Sequence, residues 1–228
     1  MLESNNAFSL DYYSSIIKKA LSNGYKFCTV TEYFRSGCPK EKHFILRHDI
    51  DVRPRTVQQM IDIENQEGVK ATYYVRLCGS PYNPFDYEIF SNLKSAEKLG
   101  HEIGLHTNPL EFARILNLDP IKVIKSELEM LNQHFNITSM STHRDMDYAY
   151  NSLPWLIESW NRVKEGTNLE VHAYDEDIFK NSTYVNEGTN PHITWRNLKP
   201  EDVIDSGATV YMLTHNHWWH KNHPFEAR

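Results

Sequence analysis

The stretch FILRHDID, residues 44–51, joins an apolar segment to a histidine and two aspartates. Its apolar start predicts a buried β-strand, on which residues two apart face the same side. Asp49 and Asp51 therefore share a face, together with Arg47. An ionised carboxylate is costly to bury without a partner, a proton or a metal. The stretch thus predicts a strand that ends in a functional site and needs partners from elsewhere in the chain.

The 228-residue sequence predicts strands and helices that alternate at the spacing of βα units, without an internal repeat or a linker. We expect one α/β domain over residues 1–228, built on parallel strands. Helices are predicted over 9–24, 53–68, 86–100 and 119–135, and strands over 25–30, 43–51, 70–76, 101–107, 137–144, 169–175 and 209–219. Four predicted strands end in polar clusters, RHDID, GLHT, THRD and LTHNH, which should meet because such barrels carry their chemistry at the C-terminal ends of their strands.

The composition is that of a globular protein, with 40% hydrophobic and 24% charged residues and a net charge of -6. Charges of both signs are interspersed, which argues against a nucleic-acid partner. The three cysteines form no CxxC pair, so we expect no disulfide framework and a reducing compartment. The first residues lack the pattern of a secretion signal, and no apolar run reaches the ~20 residues that span a bilayer. A cytoplasmic protein without a membrane span is expected.

The paired carboxylates suggest metal chemistry. Two carboxylates held close together cannot both stay charged without a cation nearby. A divalent metal on one of them, with the other left as a general base, would meet this need. The alternative is that Asp49 and Asp51 cap a helix, because DVRPRT follows the strand.

The histidines at the other strand ends are candidate partners, since imidazole is the commonest neutral metal ligand. His101 and His106 lie five residues apart and so on opposite faces of one strand. We favour His106 as a ligand and expect His101 to be a hydrogen-bonded structural histidine. His143 could be a ligand and Arg144 could pin a catalytic aspartate, or both could belong to a surface loop. His215 could be a general acid, or part of a solvated terminal segment.

Together these stretches resemble the polysaccharide deacetylase superfamily, carbohydrate esterase family 4, and within it a branch with an RHDVD-type first motif and GHEIGLH as the second. The resemblance runs from NGYKFCTVTEYF through LRHDID, GVKATYYVRL, GHEIGLH and THR to LTHNHWW. It implies a distorted, incomplete (β/α) barrel. It also implies a divalent metal, zinc first among the candidates, that serves to hydrolyse N- or O-acyl groups on sugars.

The resemblance implies a role for each matched residue. Asp49 corresponds to the catalytic base and Asp51 to the metal-binding aspartate. His106 corresponds to the first histidine of the family's HxxxH metal motif. Arg144 corresponds to the arginine that orients the base, and His215 to the late histidine that acts as general acid.

The chain departs from this pattern at one ligand. The second histidine of HxxxH falls on Leu110, which cannot bind a metal. Candidates for the third ligand are His143, Glu111, Asn108 and His48. We favour His143 because it ends a neighbouring strand, whereas His48 points away from Asp49 on a regular strand.

The resulting expectation is a metal-dependent hydrolase that removes an acyl group, in particular N-acetyl, from a sugar. An acylated sugar, a nucleotide-sugar or a lipid-linked glycan is the expected substrate. One alternative is a deformylase or ring-opening amidase on the same scaffold. Another is a non-catalytic carbohydrate-binding or scaffold protein that has lost its third ligand.

Overall fold

The computed structural model describes residues 8–78, 82–143, 151–187 and 194–222, which form an eight-stranded parallel sheet with flanking helices. The strands are β1 Lys26–Cys28, β2 His43–Ile50, β3 Thr72–Arg76, β4 Glu102–Thr107, β5 Ser139–Thr142, β6 Val171–His172, β7 Thr183–Asn186 and β8 Val210–Thr214. Their order is β6-β5-β4-β3-β2-β8-β7, and β1 pairs with the first half of β2. Within the described residues, β6 pairs only with β5, and β7 pairs only with β8. The two ends of the curled sheet therefore do not meet, and the sheet stays open. The predicted α/β fold, an incomplete barrel, is confirmed.

The helices flank the sheet. They are α1 Leu10–Ser22, α2 Val30–Arg35, α3 Val57–Gln66, α4 Tyr87–Lys98, α5 Pro109–Leu116, α6 Pro120–Asn132, α7 Ser152–Lys164, α8 Glu176–Asn181 and α9 Pro200–Ser206. None of the helices in the described ranges is long and apolar enough to cross a membrane.

Local sequence signals explain where several helices begin. Ser9 accepts a hydrogen bond from the backbone N–H of Tyr12 and caps α1, and Asp119 caps α6 by accepting from the backbone N–H of Ile121. The buried stripe of α1 runs through Tyr13 and Ile17, and Leu21 lies beyond its edge with 38% of its surface exposed.

The two faces of β2 are buried against different groups. Phe44 and Leu46 pack on the main core beneath the helices, whereas Ile45 packs on a second, smaller core together with Tyr74 of β3. We call the side of Ile45 the inner face. Because side chains alternate along a strand, Arg47 and Asp49 follow Ile45 onto the inner face. The sheet thus directs these two polar side chains to the concave side.

The helix-facing side of β2 carries a second polar cluster, centred on the fully buried Glu64 of α3. Its Oε1 lies 2.7 Å from Nε2 of His48 and also accepts from the hydroxyl of Tyr13. Its Oε2 accepts from the hydroxyl of Tyr73 at 2.5 Å and lies 3.3 Å from Nδ1 of His101. The buried charge is therefore compensated on both oxygens.

Gly104 of β4 leaves room for the ring of Tyr74. A Cβ at this position would overlap that ring and lie 3.1 Å from Oγ of Ser139. We expect Gly104→Ala to lower the free energy of unfolding by about 1–3 kcal/mol, the usual cost of overpacking a core. Denaturant unfolding would measure the change. In a Tyr74→Leu background the same substitution should cost less, and an equal cost in both backgrounds would contradict this account.

Candidate active site

Arg47 and Asp49 form a buried ion pair on the inner face of β2. Nε of Arg47 donates to Oδ1 of Asp49 at 2.8 Å, and Nη2 donates to Oδ2 at 2.7 Å. Two parallel hydrogen bonds fix the plane of a carboxylate as well as its position. Asp49 is therefore oriented by a residue of its own strand.

Arg47 is in turn held by groups from neighbouring segments. Its guanidinium donates to Oγ of Ser141 at 2.5 Å, and to the hydroxyls of Tyr174 at 3.0 Å and Tyr211 at 3.3 Å. The ring centroids of Tyr174 and Tyr74 lie 4.6 and 5.3 Å from its Cζ. A buried guanidinium needs its N–H groups satisfied, and these contacts satisfy them. The arginine is thus a rigid support for Asp49.

The charge of Asp49 follows from this support. Burial alone would favour the neutral acid, but Arg47 and then His106 hold the pKa of Asp49 below its ordinary value. Nε2 of His106 lies 3.6 Å from Oδ2 of Asp49. Asp49 is therefore ionised at neutral pH, as a proton acceptor must be.

Asp51, His106 and His143 bring three metal-ligating atoms within 4.8 Å of one another. Oδ1 of Asp51 lies 3.1 Å from Nε2 of His106 and 3.4 Å from Nε2 of His143. The backbone N–H of His143 donates to the carbonyl of Thr107 at 2.8 Å, which places this residue beside the end of β4. Two ligands of a tetrahedral ion at about 2.1 Å lie about 3.4 Å apart, so the set fits a zinc-type site.

The hydrogen bond of His106 is compatible with a bound cation at this point. Its Nδ1 lies 3.2 Å from the carbonyl oxygen of Ser141, which can only accept, so Nδ1 carries a proton. Nε2 of the neutral ring then presents a lone pair to Asp51, which also presents lone pairs. A second ring proton or a bound cation resolves this conflict, and metal-bound histidines commonly donate to a carbonyl in this manner. Despite burial, hydrogen bonds with His106 and His143 hold the pKa of Asp51 well below its ordinary value.

His215 stands on the other side of Asp51, with Nε2 at 3.6 Å from Oδ2. Its Nδ1 lies 2.8 Å from Oε2 of Glu187, and the same oxygen accepts from the backbone N–H of His215 at 2.8 Å. The indole N–H of Trp219 donates to Oε1 of Glu187 at 2.6 Å. A buried carboxylate thus fixes the orientation of the imidazole.

Glu187 also sets the charge of His215. Burial would lower the pKa of the imidazole, but the hydrogen bond and the charge of Glu187, with Asp51 and Asp49 adding to them, raise it to about 9. Burial raises the pKa of Glu187, and its bonds to His215 and Trp219 oppose that rise. His215 is therefore protonated at neutral pH and can donate a proton.

The structure brings together Asp49, Asp51, His106, His143 and His215 among the residues that the sequence singled out. Arg144 lies outside the described residues, so its predicted role stays a prediction. His101 accepts from the backbone N–H of Ala71 at 3.0 Å and is structural, as expected.

The other candidate ligands have different partners. His48 faces Glu64 on the helix side of the sheet. The side-chain amide of Asn108 donates to Glu111 at 2.7 Å, at the start of α5. Glu187 was missed by the sequence reading because no motif surrounds it. Arg47 was placed on the correct face, but its ion pair with Asp49 was not predicted.

Comparisons with known proteins give a likeness in structure. No family model and no curated protein matches the chain. Among solved structures, the chain is similar to the Streptococcus pyogenes deacetylase PplD in complex with acetate, with a TM-score of 0.50 and 17% sequence identity. The match covers 87% of this chain and 86% of that one. It supports the incomplete-barrel fold described above.

Proposed function

We propose that this protein is a metal-dependent hydrolase that removes an acyl group, in particular N-acetyl, from a sugar or a sugar-containing precursor. The proposal rests above all on the different surroundings of two aspartates that lie two residues apart. Asp49 is paired with the cation Arg47, whereas Asp51 faces two imidazole nitrogens. The description of the structural neighbour as a deacetylase supports the same class of reaction.

The two aspartates would have different roles, Asp51 as a metal ligand and Asp49 as the general base. Asp51, His106 and His143 would hold the metal. A bound divalent ion such as zinc supplies a water of lowered pKa and polarises the acyl carbonyl. Asp49 accepts the proton of the attacking water, because Arg47 keeps its carboxylate ionised and fixed in orientation. Arg47 makes and breaks no bond, and acts by positioning.

His215 would complete the reaction as the general acid. It faces Oδ2 of Asp51, whereas the two histidine ligands face Oδ1, and Glu187 keeps its imidazole protonated and oriented. Its Nε2 proton would pass to the amine nitrogen as the amide bond breaks. Base and acid would each be paired with a buried group of opposite charge.

Acetate release from a panel of N-acetyl sugars tests this function. The panel contains N-acetylglucosamine, its 1-phosphate, its uridine diphosphate conjugate and a chitin oligosaccharide, with N-formyl counterparts to detect a deformylase. We expect release with zinc-loaded protein, and release slowed by ~10²–10⁴-fold with Asp49→Asn. Tight zinc binding without release from any acylated sugar would overturn the proposal and favour a binding protein.

The pairing of His215 with Glu187 predicts a specific pH dependence. The general acid must be protonated to act. We therefore expect kcat to stay constant up to a pH of about 9, the raised pKa of His215, and to fall at higher pH. Glu187→Gln keeps an acceptor for Trp219 but removes the charge. The alkaline limb of kcat should then move to lower pH by about 1–2 units, the usual effect of losing an adjacent opposite charge. An unmoved limb would exclude His215 as the titrating acid.

A further inference from the structure

A cavity of about 510 Å³ opens beside the site. Its wall is formed by the loop after β2 and by the segment that leads into α4, and the lining residues are Arg53, Pro54, Arg55, Thr56, Tyr82, Asn83, Asp86 and Ile89. The hydroxyl of Tyr82 donates to the carbonyl of Ile50 at 2.8 Å. Ile50 lies between Asp49 and Asp51 in the sequence, so this contact joins the cavity to the strand end that carries the site.

The cavity wall carries two arginines in different electrostatic states. Nε of Arg55 donates to Glu88 at 2.7 Å, and Nη2 lies 4.0 Å from Asp86, so Arg55 is neutralised. Arg53 is partly exposed, and its guanidinium makes no ion pair or side-chain hydrogen bond with any residue in the described ranges. Its N–H groups are therefore available to an anionic ligand in the cavity.

The backbone of Arg53 is held in a fixed and uncommon conformation. Its φ of 52° and ψ of 55° lie in the left-handed region, which a residue with a side chain seldom adopts. The side-chain amide of the buried Asn216 donates to the carbonyl of Arg53 at 2.8 Å, and Oγ1 of Thr56 donates to it at 3.0 Å. Asn216 directly follows His215. The loop that carries Arg53 is therefore tied to the segment of the proposed acid.

We propose that this cavity is an anion subsite, in which Arg53 binds a phosphate ester or another acidic substituent on the acylated sugar. The guanidinium presents a fork of N–H donors that matches phosphate and carboxylate oxygens. The inference rests on the proposed function and narrows its substrate class to charged sugars, such as sugar phosphates, in place of neutral glycan polymers.

Calorimetric binding to the Asp49→Asn variant tests the subsite without turnover. The two main probes are N-acetylglucosamine 1-phosphate and the neutral methyl glycoside of N-acetylglucosamine. We expect the phosphate to bind at least ~10-fold more tightly, as a charge-assisted hydrogen bond would allow. Adding Arg53→Gln should remove this advantage. Adding Arg55→Gln is the matched control, because Arg55 lines the same cavity but is already paired, and it should leave the advantage in place.

The same titrations separate the subsite from the proposed reaction. Equal binding of the two sugars, or an advantage that survives Arg53→Gln, would overturn the subsite and leave the hydrolase proposal standing. Arg53-dependent binding of inorganic phosphate, with neither sugar bound, would support the subsite and count against an acylated sugar as substrate. Tighter binding of N-acetylglucosaminuronic acid than of the 1-phosphate, again dependent on Arg53, would support the subsite and identify a carboxylate as its ligand.

Discussion

Replacement of Asp49 by asparagine is expected to lower kcat by ~10²–10⁴-fold, the usual contribution of a general base. The amide is nearly the same size as the carboxylate but cannot accept the water's proton. Bound metal should stay at the wild-type level, because the proposed ligands Asp51, His106 and His143 are unchanged. Activity assays with metal analysis of the same samples would measure both effects.

The matched variant is Asp51→Asn. It makes the same change at the other aspartate, the replacement of one carboxylate oxygen by an amide nitrogen. It should lose metal and activity together. If Asp49→Asn loses metal while Asp51→Asn keeps it, the two roles are exchanged. Because Arg47 would then face an amide in Asp49→Asn, unfolding should be measured as well, so that lost activity is not confused with lost structure.

Replacement of His143 by alanine is expected to weaken zinc binding by more than ~100-fold, which exceeds the usual 10–100-fold cost of losing an outer-shell partner. Two of the three proposed ligands would remain, and activity should fall with metal occupancy. Competition with a zinc chelator would measure the affinity. This experiment tests the expectation, drawn from the sequence resemblance, that His143 supplies the ligand that Leu110 cannot.

His134→Ala is the control for this variant. His134 is an exposed histidine near the rings of Phe85 and Phe90, away from the site. It should leave zinc affinity and activity unchanged. Full zinc affinity in His143→Ala would exclude His143 as the third ligand.

Much of this site could be predicted from the sequence because two simple rules apply. Alternation along β2 places Asp49 with Arg47 on one face, and parallel strands bring their C-terminal ends to one edge. Those rules suffice to bring His106, His143 and His215 near Asp51. Both rules concern residues in or directly after regular strands, where the direction of a side chain follows from its position along the strand.

Glu187 could not be found in this way. It follows the short strand β7, which was not predicted, and its contacts with His215 and Trp219 depend on the path of the chain after that strand. The missed helix α2 is different, because its signal is local. Thr29 and Glu32 form a capping box at its start, a pattern that is visible in the sequence as TVTE.

The two polar clusters on β2 also govern how this strand can pair. A shift of one residue would turn His48 toward the inner face and Asp49 toward the helices. His48 would then leave Glu64, and Asp49 would leave Arg47 and its neighbours, so that buried charges on both sides lose their partners. In an apolar strand that is buried on both faces, such a shift changes the free energy little, since most of its side chains can replace one another. The polar pairs at the end of β2 therefore specify the register of the central strand, in addition to any part they take in catalysis.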